Sequence, residues 1–90
     1  MSTHVEMGIY TLQIQRNPKD YEAYFNRGKA YQVLELYDLA VDDFSKAILI
    51  NRNYAKAYHY RGVTYANLGN EKKAQEDFEK ARELGYTADD

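Results

Sequence analysis

A chain of 90 residues confines the protein to one small domain, and 44% hydrophobic with 29% charged residues fits an ordinary soluble globular fold. A net charge of −2 provides no field of one sign that would attract nucleic acid or an anionic membrane. The lack of cysteine excludes disulfides, thiolate catalysis and cysteine-held metals, and no apolar run approaches the roughly 20 residues of a membrane span.

In chain order, residues 3–16 predict a first helix, with Thr3 and Glu6 at capping-box spacing. The start has neither the basic stretch nor the apolar block of a signal peptide, so a cytoplasmic location is expected. A second helix is predicted to about Leu34, with Asn17 as its cap, Pro18 at its first position and Asp20 at its positive end. Tyr24, Gly28 and Tyr31 recur in it at helical spacing. After a break at Leu34-Glu35-Leu36, a third helix runs from Tyr37 to Ile50 with Ala40, Phe44 and Ala47 on one face. Two more helices follow, divided at "LGNE", where Gly69 is a stop signal and Asn70 a start signal. Gly85 ends the last helix, and residues 85–90 form a tail.

The later helices repeat the earlier ones. Sliding the chain by 34 superimposes residues 17–50 on residues 51–84 with 12 identities. They are Asn17/Asn51, Ala23/Ala57, Tyr24/Tyr58, Arg27/Arg61, Gly28/Gly62, Tyr31/Tyr65, Leu34/Leu68, Ala40/Ala74, Asp43/Asp77, Phe44/Phe78, Lys46/Lys80 and Ala47/Ala81. Chance would give about two. Gly28 and Gly62 sit in mid-helix at a cost of about 1 kcal/mol each relative to alanine. Small residues opposite, Ala40 and Ala47 or Ala74 and Ala81, suggest close helix approach as the offset.

These residues resemble the tetratricopeptide repeat. The pattern reads Tyr24-x2-Arg27-Gly28-x2-Tyr31, Ala40-x3-Phe44, Ala47, and again Tyr58-x2-Arg61-Gly62-x2-Tyr65, Ala74-x3-Phe78, Ala81. It departs from the family in placing tyrosine for tryptophan, arginine for leucine, and Arg52 where a proline would close the unit. The resemblance implies an all-α solenoid of antiparallel helix pairs: a lone helix at 3–16, repeats at 17–50 and 51–84, and a tail. It also implies a role in protein–protein interaction. Arg27 and Arg61 are expected to pair with Asp43 and Asp77 of their own units.

The two ends differ from the repeat. In the first helix Glu6 and Gln13 stand where the units have Ala40 and Ala47, as expected when a partner helix is missing. Met7 and Ile14 keep the apolar character of Val41 and Ile48, which should face the next unit. At the far end Gln75, Arg82 and Glu83 replace Val41, Ile48 and Leu49, the polar change of a terminal repeat.

Catalytic chemistry finds no support. His4 and His59 lie in different helices without spaced metal-ligating partners, and the glycines form no phosphate loop. The expectation is a non-enzyme with no cofactor and no metal. Basic residues alternate with acidic ones, against a nucleic-acid stripe.

Stacked helix pairs curve, and the first helix of each pair lines the concave side. The expected groove consists of Phe25, Asn26 and Lys29 from one unit and Lys56, His59, Tyr60 and Val63 from the other, with Glu22 and Val33 flanking. Phe25 is read as an exposed aromatic anchor, the alternative being that it packs against the first helix or fills a gap. Some family members clamp the terminal carboxylate of an acidic peptide, and Asn26 and Lys56 match two of five clamp positions. Tyr60 stands where that clamp has an arginine. The expected partner is therefore a protein or peptide, an acidic one among the candidates, held without the full clamp. The alternative is self-association, with the groove or terminal faces filled by another copy.

Overall fold

The computed structural model describes residues 2–87, which form five helices: α1 (Thr3–Arg16), α2 (Tyr21–Val33), α3 (Tyr37–Ile50), α4 (Ala55–Asn67) and α5 (Glu71–Glu83). Each packs on the next in the chain, and α2 also touches α4. Connections of three or four residues force successive helices to run antiparallel. The result is a lone helix followed by two stacked pairs, 32 × 24 × 23 Å. Among the described residues no helix is long and apolar enough to cross a membrane.

The first helix begins at Thr3 as expected but has a different cap, and the start of the second shifts. Ser2, not Thr3, caps α1: its Oγ accepts the Val5 N–H at 3.3 Å, and Thr3 is already helical. α2 starts at Tyr21, because Asp20 is its cap and accepts the Ala23 N–H at 3.1 Å. Asn17 instead shapes the preceding turn, where its Oδ1 accepts the Lys19 N–H at 3.1 Å. Asn51 accepts the Asn53 N–H at 3.2 Å in the same way. The asparagine shared by both units is thus a turn residue, since a side chain satisfied within its turn is not free to cap a helix.

Three helix ends share one device. The N–H groups of Leu36, Asn70 and Tyr86 bond back to the carbonyls of Tyr31, Tyr65 and Ala81 at 2.9, 2.8 and 2.9 Å. The residue before each has positive φ: Glu35 at 61°, Gly69 at 80° and Gly85 at 93°. This is the Schellman arrangement, which normally takes glycine. Two ends have it. The α2 end makes do with glutamate.

The core lies between the pairs. Phe44, Ala40, Ala47 and Ala57 are fully enclosed, joined by Ile48 and by Phe25 at 4% exposure. The mid-helix glycines serve a different contact from the one expected. A Cβ on Gly28 would lie 2.7 Å from the Phe44 ring, and one on Gly62 would lie 2.8 Å from the Phe78 ring. They make room for a phenylalanine of the opposite helix, and at Gly62 the Ala74 carbonyl oxygen also comes within 3.2 Å. A flat ring against bare backbone fills space that two facing methyl groups would leave, in keeping with the close packing of protein interiors.

Candidate functional site

The helical period places Lys56, Tyr60 and Val63 on one side of α4, and Phe25 and Lys29 one turn apart on α2. Lys29 Nζ lies 4.9 Å from the centre of the Phe25 ring and 5.7 Å from that of Tyr60, bridging the two first helices through cation–π contacts. Tyr60 meets Phe25 edge-on at 5.3 Å and His59 at 5.7 Å. Four predicted groove residues therefore form one continuous cluster: Phe25, Lys29, Tyr60 and His59.

Their roles differ from those expected. Phe25 is not an exposed anchor. Its ring is buried against Phe44 at 5.7 Å and Tyr54 at 5.2 Å, so it forms the floor of the surface. The helical period alone put it on the groove side; the rings of α3 and α4 that close over it lie far away in sequence. The exposed positions are Lys56 and, outside the cluster, Glu22 and Val33. Asn26 lines a separate depression of about 250 Å³ between α1 and α2, with Thr3, Glu6, Tyr10, Lys29 and Val33 on its walls. This depression lies on the side of α1 that carries Glu6, the counterpart of Ala40. Val63 is half-buried on α4.

His59 turns away from the groove floor toward α5 and the tail. Its ring stacks on Tyr86 at 4.2 Å and lies 5.4 Å from Phe78. Burial lowers its pKa, because the neutral ring is the cheaper species to desolvate. Burial, with Glu22 and Tyr21 nearby, raises the pKa of Tyr54 to about 12, so its hydroxyl stays neutral beside Phe25. The part played by Tyr86 escapes a sequence reading that treats the tail as a mere stop; Gly85, a C-terminal glycine followed by an aromatic, was the available signal.

The repeated arginines behave as predicted. Arg27 donates from Nε and Nη2 to the two Asp43 carboxylate oxygens at 2.7 and 2.9 Å, and Arg61 does the same to Asp77 at 2.8 and 2.8 Å. Hydrogen bonding to these carboxylates raises the pKa of both guanidinium groups, against the opposing effect of burial. Both arginines are thus committed to holding helices together.

Stacked helix pairs, a paired arginine in each, and a side-chain surface along the first helices define an α-helical repeat array. The chain belongs to the tetratricopeptide repeat family, whose pattern matches residues 21–54 and again residues 55–87. RNA polymerase II-associated protein 3 of Xenopus tropicalis is 39% identical over 75 residues; the match covers 83% of this chain and 11% of that protein. A solved structure of the first TPR of Spaghetti (RPAP3) bound to the HSP90 peptide SRMEEVD is 32% identical, with a TM-score of 0.86. That likeness covers 88% of this chain and 63% of the other. The TPR2B domain of yeast Sti1, solved in a complex with pHsp70, is 29% identical over 87% of this chain and 62% of its own, with a TM-score of 0.85.

Proposed function

We propose that the protein is a non-catalytic interaction module that holds an acidic peptide segment of a partner protein along α2 and α4. The observation that carries this reading is the position of Lys29, whose ammonium lies over the Phe25 and Tyr60 rings and bridges both first helices. An ammonium on an aromatic floor offers a carboxylate one charge and a largely desolvated apolar surface beside it. Lys56, exposed on α4, supplies a second charge. The similar Spaghetti domain, bound to the peptide SRMEEVD, supports an acidic ligand for this surface as well. With Tyr60 in place of a clamp arginine, the contact is weaker and more aromatic than a full carboxylate clamp.

A titration of the peptide SRMEEVD, followed by amide chemical shifts, tests the reading. Lys56→Glu should weaken binding by about 1 kcal/mol, and added salt should weaken it further. Lys72→Glu, on the second helix of its pair, should change little. Equal losses from both variants would reduce the effect to net charge. Binding unaffected by Lys56→Glu would move the surface elsewhere.

A further inference from the structure

The two units bury the same pair of aromatic positions in different ways. In the first unit Phe25 and Phe44 lie 5.7 Å apart, and the following unit covers them with two tyrosines. Tyr54 meets Phe25 at 5.2 Å, while Tyr60 meets Phe25 at 5.3 Å and Phe44 at 6.2 Å. The counterparts in the second unit, His59 and Phe78, lie 5.4 Å apart, so the seat keeps its geometry. Here, among the described residues, Tyr86 stacks on His59, brought there by the chain reversal at Gly85, and Tyr60 meets His59 edge-on. Phe78 remains half-buried where Phe44 is fully enclosed. A depression of about 370 Å³ remains, walled by His59, Phe78, Arg82 and Tyr86.

The molecule itself shows what such a seat accepts, because its first copy is filled: aromatic side chains six positions apart at the start of a helix, Tyr54 and Tyr60. One wall has changed. Arg82 stands where the filled seat has the buried Ile48, and an exposed guanidinium calls for a carboxylate. We infer that the face of the second unit formed by His59, Phe78, Arg82 and Tyr86 is a second docking site, for a helical segment of a partner protein carrying two aromatic side chains and an acidic residue. It adjoins the surface over Lys29 and Lys56 through the Tyr60–His59 contact but takes a different ligand, and neither site requires the other. On the same helix, α5, exposed Gln75 and Glu83 replace Val41 and Leu49 of the first unit.

The probes are peptides copied from the segment that fills the first seat, residues 51–67. One copy carries Glu in place of Arg52, Lys56 and Arg61; a second keeps those residues; a third adds Tyr54→Ala and Tyr60→Ala to the acidic copy. Titrated into the whole chain, the acidic copy should shift the amides of His59, Phe78, Arg82 and Tyr86, and bind about tenfold more tightly than the basic copy. The third copy should lose at least that factor. Arg82→Ile, at an exposed position, should fold normally by circular dichroism and abolish the preference for the acidic copy while keeping the dependence on the tyrosines. Shifts confined to Lys29 and Lys56, or equal binding with and without the tyrosines, would overturn the proposal. The acidic heptapeptide SRMEEVD has no aromatic residue, so its success or failure at the other surface reads out separately.

Discussion

Arg61 and Asp77 form a two-toothed ion pair, with Nε and Nη2 each 2.8 Å from a carboxylate oxygen. The remaining arm, Nη1, reaches the Ser45 hydroxyl on the preceding pair at 3.1 Å. Arg27 repeats the pattern with Asp43 and, at 3.4 Å, with Thr11 of α1. Each arginine therefore joins three helices: its own, its partner, and the last helix of the unit before. Flanking tyrosines, Tyr58 and Tyr65 at 5.7 and 5.8 Å for Arg61, hold the guanidinium plane in place. A planar fork with fixed donors suits this task, whereas a lysine, a compact charge with three rotatable donors, has no planar two-point match to a carboxylate.

Removing the carboxylate should cost more than removing the hydroxyl. Asp77→Ala strands a partly buried guanidinium and should lower stability by about 2–3 kcal/mol. Ser45→Ala breaks one hydrogen bond, worth about 0.5–1 kcal/mol. Urea unfolding of both variants gives the comparison. Similar losses from the two would mean that the bond between units, not the ion pair, sets the strength of the joint.

Alanine at the two mid-helix glycines should separate the units. Each substitution recovers about 1 kcal/mol of helix propensity. At Gly28 the new methyl meets Phe44, which is enclosed on every side and cannot move, so a net loss of about 1–2 kcal/mol is expected. At Gly62 it meets Phe78, whose half-buried ring can shift into the neighbouring depression. Gly62→Ala should be near neutral. Thermal unfolding of the pair decides the matter, and a larger loss at Gly62 would mean that the Ala74 carbonyl, not the ring, is the obstacle.

How much of this was legible in the sequence depends on how local the cause is. The period of 34 fixes which residues are equivalent, and equivalence was enough to pair Arg27 with Asp43 and Arg61 with Asp77. The bounds of α3 were also readable, because Tyr37–Ile50 is a long apolar-periodic stretch. Phe25 was misjudged because helical period assigns a direction but not what covers it; Tyr54 and Tyr60 arrive from the next unit. Asn17 looked like a cap because caps and turns favour the same side chains for the same reason, a short acceptor near backbone N–H groups. Of the residues expected in a groove, Phe25, Lys29, Tyr60 and His59 adjoin one another, yet His59 also stacks on Tyr86, which only the fold of the tail shows.

The α2–α3 turn should accept the chemistry of its counterpart. Glu35 holds a left-handed backbone that Gly69 adopts without steric cost, and Leu36 caps α3 without a side-chain hydrogen bond. Asn70, in the equivalent place, accepts the Lys73 N–H at 3.2 Å. Replacing Glu35 by Gly should relieve about 1 kcal/mol of strain, less the entropy that glycine adds to the unfolded chain. Leu36→Asn should add about 1 kcal/mol through the new cap. Both positions are exposed, so little packing is lost. The double variant should melt higher than the parent. A lower melting temperature would show that Leu36 packs more usefully than its exposure suggests.

The pH dependence of stability should report on His59. Its pKa is lowered in the folded protein by burial, its ring lying against Tyr86 and Phe78 with Arg82 on the same depression. The unfolded chain restores the ordinary value of about 6.5. Below that pH the unfolded chain binds a proton that the folded one resists, so protonation favours unfolding. The contribution of the neutral ring is therefore complete above pH ~6.5 and is lost as pH falls through that value toward the lower folded pKa. The same resistance delays any electrostatic gain that a protonated His59 would offer an acidic ligand. His59→Phe installs the residue that Phe25 provides in the first unit and removes the titration, while His4 is common to both proteins and cancels. At about pH 7.5 the variant should equal or exceed the parent in melting temperature, and its advantage should widen steadily on acidification to about pH 5. Parallel melting curves across that range would show that the ring titrates as freely in the folded chain as in the unfolded one, and that the Tyr86 stack does not desolvate it.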